Sequence, residues 1–361
     1  MTFRLTIDEP RWHAAIRRAA AQSPGLVPVI KGNGYGFGRE RLAELCGRLG
    51  VDTVAVGTEA EIPSVRLGFH GTIAVMAPLG TADLNPEPRP TQVLRTVAHA
   101  SVVRHLAGLG AAGPAVVLEL DSPVHRHGVT LSELAELAAP LRQVRLAGVA
   151  MHLPSGGDRR RVLESVHLAL DALGRAGIPL STFWVSHLTP PELALVRAAH
   201  PGVQVRPRIG TSLWLGDRQA FRASGTVLDV RRMPHRQAVG YRQRRFAGGT
   251  LLVVSGGTAH GVGLYASAAH SGLRDVLKGA VLGAARGAGW APSPFHWAGH
   301  RLHFADVAHM QVSMLAVPPH LSAPAVGDRL DCDIRMTVST FDAVELRPGV
   351  SEPEASWPAA S

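Results

Sequence analysis

The chain has 361 residues, a length that fits two domains of ordinary size, and its 46% hydrophobic and 18% charged residues are typical of a folded protein. The net charge is +9, but the basic residues are spread along the chain and their densest clusters contain no aromatic residues, so we expect no nucleic-acid interface. No run of 18 or more apolar residues occurs, so we expect no transmembrane helix. A start without an apolar leader segment, and only two cysteines, Cys46 and Cys332, predict a cytoplasmic protein without a disulfide framework.

Short apolar runs alternate with amphipathic stretches from about residue 25 to residue 215. The predicted buried strands are Val27–Lys31, Thr53–Gly57, Ile73–Ala77, Ala115–Leu120 and Leu146–His152. Predicted helices between them cover residues 40–49, a stretch opened by the capping box Thr130-x-x-Glu133, and residues 159–176. Repeated strand–helix units over this length predict a parallel α/β fold, most economically a (β/α)8 barrel of the TIM type.

The pattern changes after about residue 220. Short β-rich runs are separated there by glycine, proline and aspartate turns, which predicts a mostly antiparallel β domain. We therefore expect a barrel over residues 1–218, a C-terminal β domain over residues 219–347 and a disordered tail over residues 348–361.

A single lysine stands out at the end of the first predicted barrel strand. The chain has 37 lysines and arginines, and only Lys31 and Lys278 are lysine. Lys31 follows the apolar run VPVI and precedes glycines at positions 32, 34, 36 and 38. A partly desolvated lysine at the carboxyl end of a barrel strand can act as an amine nucleophile, and the glycines allow the backbone to approach a bulky ligand. A structural lysine beside a turn is the alternative interpretation.

The segment KGNGYGFG (31–38) resembles the KxNAYGHG signature of the alanine racemase family, the barrel-type enzymes that use pyridoxal phosphate (PLP). The following VAVGTEAEIPSVRLG is similar to the next strand and helix of that family. Weaker similarities continue in the same order along nearly the whole chain, at DSPVHRHGV (121–129), AMHLPS (150–155), VRPRIG (205–210), AVGY (238–241), GGTAHG (256–261), QVSM (311–314) and VGD (326–328).

This resemblance implies a role for several side chains of the predicted barrel. Lys31 would form the internal aldimine with PLP and act as one catalytic base, and Arg206 would face the pyridine nitrogen. The phosphate would be bound by the Tyr35 hydroxyl, Ser186 and the backbone N–H of Ile209, with His152 on the cofactor side. Arg126 would contact the substrate carboxylate, and Glu119 stands where many relatives have a lysine that orients this arginine. Arg208 replaces a glycine in the phosphate-binding turn.

The similarity breaks down where the family has its second base, a tyrosine delivered across a dimer interface. Thr258 stands at that position, and a threonine hydroxyl cannot act as a general base near neutral pH. His260 is a possible substitute or a bystander, because a histidine can exchange protons in this range. Tyr265 could act as this base only if the loop that contains it folds back. Met314, in the substrate-side segment Ser313–Leu315, lacks the aspartate that follows it in the family, and Thr340 replaces a phosphate-contacting tyrosine.

The resemblance therefore implies a PLP-dependent amino-acid racemase or epimerase that interconverts L- and D-alanine or a related amino acid, as a homodimer with a shared active site. Because the second base is replaced, two alternatives stay open: a barrel-type PLP enzyme with different chemistry, such as a decarboxylase or lyase, and a non-catalytic PLP-binding protein. The 18 histidines form no Cys/His cluster at metal-ligand spacing, so we expect no metal site.

Overall fold

The structure is a computed structural model that describes residues 2–80, 92–264 and 291–348. The chain divides into two units: residues 14–216 form one, and the residues up to His13 join those from Asp217 onward to form the other. The expected tail from residue 349 and Tyr265 lie outside the described residues.

The described part of residues 14–216 contains eight parallel strands, which pair in the order β2, β9, β8, β7, β6, β5, β4 and β3. The Val29–Ala55 bridge joins β2 to β3 and completes the ring. The predicted (β/α)8 barrel is therefore confirmed. Its strands are β2 (Val27–Pro28), β3 (Thr53–Val56), β4 (Thr72–Pro78), β5 (Val93–Val97), β6 (Ala115–Leu120), β7 (Arg145–Met151), β8 (Thr182–Ser186) and β9 (Gln204–Ile209).

Helices follow the strands, as the sequence pattern predicts. The capping box of Thr130 and Glu133 is present and precedes α5, and Asp158 caps α6 by accepting the N–H groups of Arg160 and Arg161. The helices are α1 (Glu9–Ala21), α2 (Arg39–Arg48), α3 (Ile62–Arg66), α4 (Ala100–Leu109), α5 (Leu134–Gln143), α6 (Arg159–Arg175), α7 (Pro190–Ala199) and α8 (Thr211–Trp214).

The alternation of side chains along each strand produces two apolar layers in this unit. Alternate residues such as Val29, Val117 and Trp184 fill the interior of the barrel, and the intervening ones pack with the outer helices. Because side chains fill the interior, the described part of the barrel has a packed core and no channel. We therefore expect a functional site at the carboxyl ends of the strands.

The other unit is a mostly antiparallel β structure, as predicted. Its main sheet has the order β13-β16-β15-β14-β17-β10-β1-β18, with an additional β10–β13 pairing, and among the described strands only β1 and β18 pair in parallel. Its strands are β1 (Phe3–Asp8), β10 (Phe221–Met233), β11 (Ala238–Val239), β12 (Arg244–Arg245), β13 (Gly249–Ser255), β14 (Ala291–Trp297), β15 (His300–Phe304), β16 (Val312–Val317), β17 (Arg329–Cys332) and β18 (Ala343–Arg347).

The observed division differs from the expected boundaries at the amino-terminal strand. The expected barrel began at residue 1, whereas β1 pairs with β10 and β18 and belongs to the β unit. The reason is the core: Phe3 is fully buried among β-unit side chains such as Leu252 and Phe295. No helix in the described ranges is both long and apolar enough to cross a bilayer.

Candidate functional site

Lys31 lies just beyond the carboxyl end of β2, and hydrogen bonds fix the backbone of the segment around it. The Glu61 carboxylate accepts the N–H of Gly32 at 2.6 Å and that of Gly57 at 2.6 Å. The Arg39 guanidinium donates to the Gly32 carbonyl, and the N–H of Gly34 donates to the Lys31 carbonyl at 3.1 Å. The exposed Lys31 side chain therefore projects from a fixed segment of backbone at the barrel mouth.

Tyr35 is buried in the turn that follows Lys31, and its backbone is in the left-handed region at φ 55°. A Cβ added to Gly210 would lie 2.1 Å from the Tyr35 hydroxyl, so only glycine at position 210 leaves room for this phenol. The hydroxyl also hydrogen-bonds the Thr211 side chain, at the start of α8. Burial raises the pKa of Tyr35 to about 12, so the phenol stays protonated and able to donate.

Ser186 ends β8 and His152 directly follows β7, the two strands that come after β9 in the order of the sheet. The buried Ser186 hydroxyl accepts the N–H of Leu153 at 3.0 Å and lies 3.1 Å from Nδ1 of His152. Burial, followed by the charges of Arg208 and Arg126, lowers the pKa of His152 to about 4, so its ring is neutral at physiological pH.

His187, next to Ser186, connects this pair to Lys31. Its ring packs edge-on against that of His152 with centroids 5.4 Å apart. Partial burial and the charge of Lys31 lower the pKa of His187, so Lys31 and these histidines share one electrostatic environment.

Arg206 lies near the amino-terminal ends of the barrel strands, whereas the family resemblance places it near their carboxyl ends. Its side chain donates to the Gly25 carbonyl at 3.2 Å, to Thr53 at 3.3 Å and to the Asp52 carboxylate. Gly25 precedes β2, and Asp52 and Thr53 stand at the start of β3, so these partners belong to the amino-terminal ends of the strands. This position is inconsistent with contact to a cofactor at the opposite end.

Arg208 occupies the level expected for Arg206. Residues two apart in a strand point to the same face but lie about 6.6 Å further along it, so both arginines enter the barrel at different heights. Arg208 pairs in register with Ser186, and its guanidinium donates to the buried Glu119 carboxylate at 3.2 and 3.3 Å. Nε of Arg208 is buried and has no hydrogen-bond partner among the described residues.

The expected phosphate donor Ile209 is also displaced. Ile209 is the last residue of β9, pairs with Pro28, and accepts the Val29 N–H at 2.8 Å. The backbone beside the Tyr35 hydroxyl instead belongs to Gly210 and Thr211, where α8 begins and N–H groups have no partner within the helix.

Glu119 and Arg126 differ in their surroundings. Glu119 is buried and pairs with Arg208 rather than with Arg126. Arg126 is exposed in the segment after β6, and its charge contributes to the lowered pKa of both His127 and His152. Arg126 is therefore a cation near His152 that is open to an anionic ligand.

Thr258 and His260 lie in the β unit, in the turn that follows β13. Thr258 is exposed. His260 is buried; its Nδ1 accepts the N–H of Gly257 at 3.2 Å, and its Nε2 lies 3.1 Å from the Asp342 carboxylate. Because Nδ1 accepts, the ring proton is on Nε2 and is donated to Asp342. With both nitrogens engaged, His260 has the contacts of a structural residue, which disagrees with the catalytic role considered for it.

The remaining substrate-side residues of the β unit also make structural contacts. Met314 packs beside a small apolar cluster of Val239, Phe246 and Leu251. The hydroxyl of its neighbour Ser313 is buried on the Gly256 carbonyl at 2.7 Å, and that of Thr340 donates to the Ala259 carbonyl at 2.8 Å.

Sequence reasoning missed the positions of Arg208, Gly210 and Thr211, and the roles of Glu61 and His187. One partial signal was available: the alternation along RPRIG places both arginines on one face of the strand, although it does not show which of them reaches the carboxyl end of the barrel.

The model of the alanine racemase N-terminal domain matches residues 9–207, more than half of the chain. The alanine racemase of Corynebacterium efficiens is 23% identical over 284 residues, which cover 73% of this chain and 76% of that protein. The solved alanine racemase of Acinetobacter baumannii has a TM-score of 0.68 at 14% identity, over 96% of this chain and 100% of that one. The alanine racemase of Bartonella henselae, solved with covalently bound pyridoxal phosphate, has a TM-score of 0.67 at 17% identity, over 92% and 90% of the two chains.

Proposed function

The chain belongs to the alanine racemase family, and on this premise we propose that it is a PLP-dependent amino-acid racemase or epimerase acting on alanine or a related amino acid. The observation that carries the proposal is the set of groups at the barrel mouth: Lys31, the protonated Tyr35 phenol, the Ser186 hydroxyl and the free Nε of Arg208.

These groups fit the cofactor. The Tyr35 and Ser186 hydroxyls and the first N–H groups of α8 would hold its phosphate, and the Tyr35 hydroxyl can lie beside the start of α8 because residue 210 has no Cβ. Nε of Arg208, a buried donor without a partner among the described residues, would donate to the ring nitrogen. The role proposed for Arg206 from the sequence passes to Arg208, and that of Ile209 passes to Gly210 and Thr211.

Bound PLP withdraws electrons from the α-carbon of an amino acid and so makes its proton removable. The residues of this chain orient the reactants and move that proton. Lys31 would hold the cofactor covalently until the amino group of the substrate displaces it, and the released Lys31 amine would then take or return the α-proton. Arg126 binds the substrate carboxylate, where a guanidinium can make two parallel hydrogen bonds. Arg208 keeps a fixed charge at the ring nitrogen, which limits electron withdrawal and favours return of the proton.

A second candidate function is favoured by the residue types and contacts of Thr258 and His260 in the β unit. Two-base racemisation needs a group opposite Lys31; Thr258 cannot serve and His260 has both nitrogens engaged. A PLP enzyme that uses Lys31 alone, such as a decarboxylase or lyase, would need no such group.

The experiment uses the purified full chain with added PLP. We expect a visible absorbance band that borohydride abolishes, with the label retained on Lys31 in peptide mass spectrometry. Lys278→Ala is the matched control, because it removes the only other lysine and should leave the band unchanged. Incubation with single enantiomers of alanine and other amino acids, followed by chiral analysis and carbon dioxide detection, separates racemase from decarboxylase.

Absence of the band would reject both candidate functions. Light scattering on the same sample tests the proposed homodimer, whose partner subunit would complete the site.

A further inference from the structure

Among the described residues of the barrel, one ion pair is almost wholly removed from solvent. Glu119 on β6 and Arg208 on β9 each have side chains only 4% exposed. Both terminal nitrogens of Arg208 donate to separate oxygens of Glu119, at 3.2 and 3.3 Å. The contact is therefore bidentate and fixes the plane of the guanidinium.

This pairing also determines which donor of Arg208 remains available. Glu119 engages both terminal nitrogens, while Nε is buried and has no partner among the described residues. A buried donor without a partner is costly, so an arrangement that keeps Nε free indicates that a ligand atom accepts from it.

Arg206 provides an internal comparison. It is also paired with a carboxylate, that of Asp52, but Asp52 is 72% exposed and the pair lies at the amino-terminal ends of the strands. Since water can replace Asp52, the orientation of Arg206 does not depend on one anion in the way that Arg208 depends on Glu119.

We propose that Glu119 is a positioning residue of the cofactor site, which holds Arg208 so that Nε is presented to the ring nitrogen and which balances the charge of the guanidinium there. The proposal rests on the proposed function, because it requires a nitrogen heterocycle at the barrel mouth. Glu119 acts through Arg208 and does not itself touch the cofactor.

The test is a double-mutant cycle in the full-length protein, with PLP as the probe. Glu119→Gln keeps the shape of the side chain but removes its charge. We expect it to weaken PLP binding at least tenfold by absorbance titration and to shift the pH at which the absorbance of the bound cofactor changes. In an Arg208→Ala background, adding Glu119→Gln should change both quantities by less than twofold, because the group through which Glu119 acts is gone.

Asp52→Asn is the matched control and should bind PLP within twofold of the unaltered protein. If Glu119→Gln fails to fold, Glu119→Asp replaces it: the charge stays, but the shorter side chain cannot reach both nitrogens, so a weaker change in the same direction is expected. Wild-type affinity and pH profile in the folded Glu119 variant, or an undiminished effect in the Arg208→Ala background, would overturn the proposal. Failure of the unaltered protein to bind PLP would instead reject the proposed function.

Discussion

The two units of the chain differ in how their polar side chains are used. At the barrel mouth, Lys31 and Arg126 are exposed, and the buried Nε of Arg208 has no partner among the described residues, so each offers a group to a ligand. In the β unit, the ring nitrogens of His260 and the hydroxyl of Ser313 form hydrogen bonds with other residues of the same unit. The barrel therefore carries groups that are open to a ligand, whereas neither Thr258 nor His260, in the described part of the β unit, is available as a second base. A change of substrate or reaction is expected to involve the β unit.

Replacing Lys31 should have the largest effect on cofactor attachment and on turnover, because the proposed reaction depends on its amine. Lys31→Ala should abolish covalent attachment of PLP and reduce turnover by roughly a thousandfold or more, because the described residues include no other lysine. Borohydride trapping with peptide mass spectrometry and a chiral amino-acid assay measure both. Lys278→Ala should retain the labelling and the turnover of the unaltered protein. Residual labelling of Lys31→Ala would contradict the attachment of PLP to Lys31.

The next effect separates the two arginines of β9. Removing Arg208 leaves Glu119 buried without its partner, whereas removing Arg206 leaves an Asp52 that water can solvate. Arg208→Met should therefore lower the free energy of unfolding by about 3–5 kcal/mol and weaken PLP binding by roughly a hundredfold. Arg206→Met should weaken PLP binding by less than about threefold. Urea unfolding and absorbance titration measure these quantities, and equal losses of PLP affinity in both variants would show that the level of the arginine in the barrel does not matter.

The comparison of these arginines also shows how far the sequence leads. The barrel, the β unit, and the strand-end positions of Lys31 and His152 follow from local patterns, since each side chain ends or follows an apolar run, whereas Ser186 was singled out by the family resemblance. The alternation along RPRIG places both arginines on one face but does not give their heights, which depend on the stagger of neighbouring strands.

Contacts distant in sequence account for the other differences. The burial of His260 depends on Asp342 and on Phe3, whose ring centroid lies 5.2 Å from that of the histidine. Phe3 reaches this place only because β1 crosses into the β unit. No local pattern around His260 carries that information, so the sequence left both a catalytic and a bystander role open.

A smaller effect tests the structural role of His260. His260→Ala removes partners from the Gly257 N–H and the Asp342 carboxylate, so we expect a loss of about 2–3 kcal/mol in the free energy of unfolding. Turnover of the folded fraction should change by less than about threefold. Thr258→Val is the control on the exposed side of the same turn and should leave both stability and turnover near those of the unaltered protein. A stable His260→Ala variant without turnover would restore His260 as a base.

The smallest effect concerns the pH dependence of the barrel. His152 has a pKa of about 4 in the folded chain, first because of burial and then because of Arg208 and Arg126, against about 6.5 for an unfolded histidine. Above pH 6.5 both states are neutral; as the pH falls towards 4, only the unfolded state gains the proton, so stability decreases. The expected loss is on the order of 1 kcal/mol, because the partly exposed ring is screened by solvent.

Urea unfolding between pH 4.5 and 7.5 should show this loss in the unaltered protein and a smaller one in His152→Gln, which keeps a polar side chain but cannot gain the proton. His105→Gln, on the exposed side of α4, controls for the removal of a histidine and should retain the full pH dependence. An identical pH dependence in His152→Gln would mean that the neutral ring at the barrel mouth does not contribute to it. The contrast between the units would then rest on Lys31, Arg126 and Arg208.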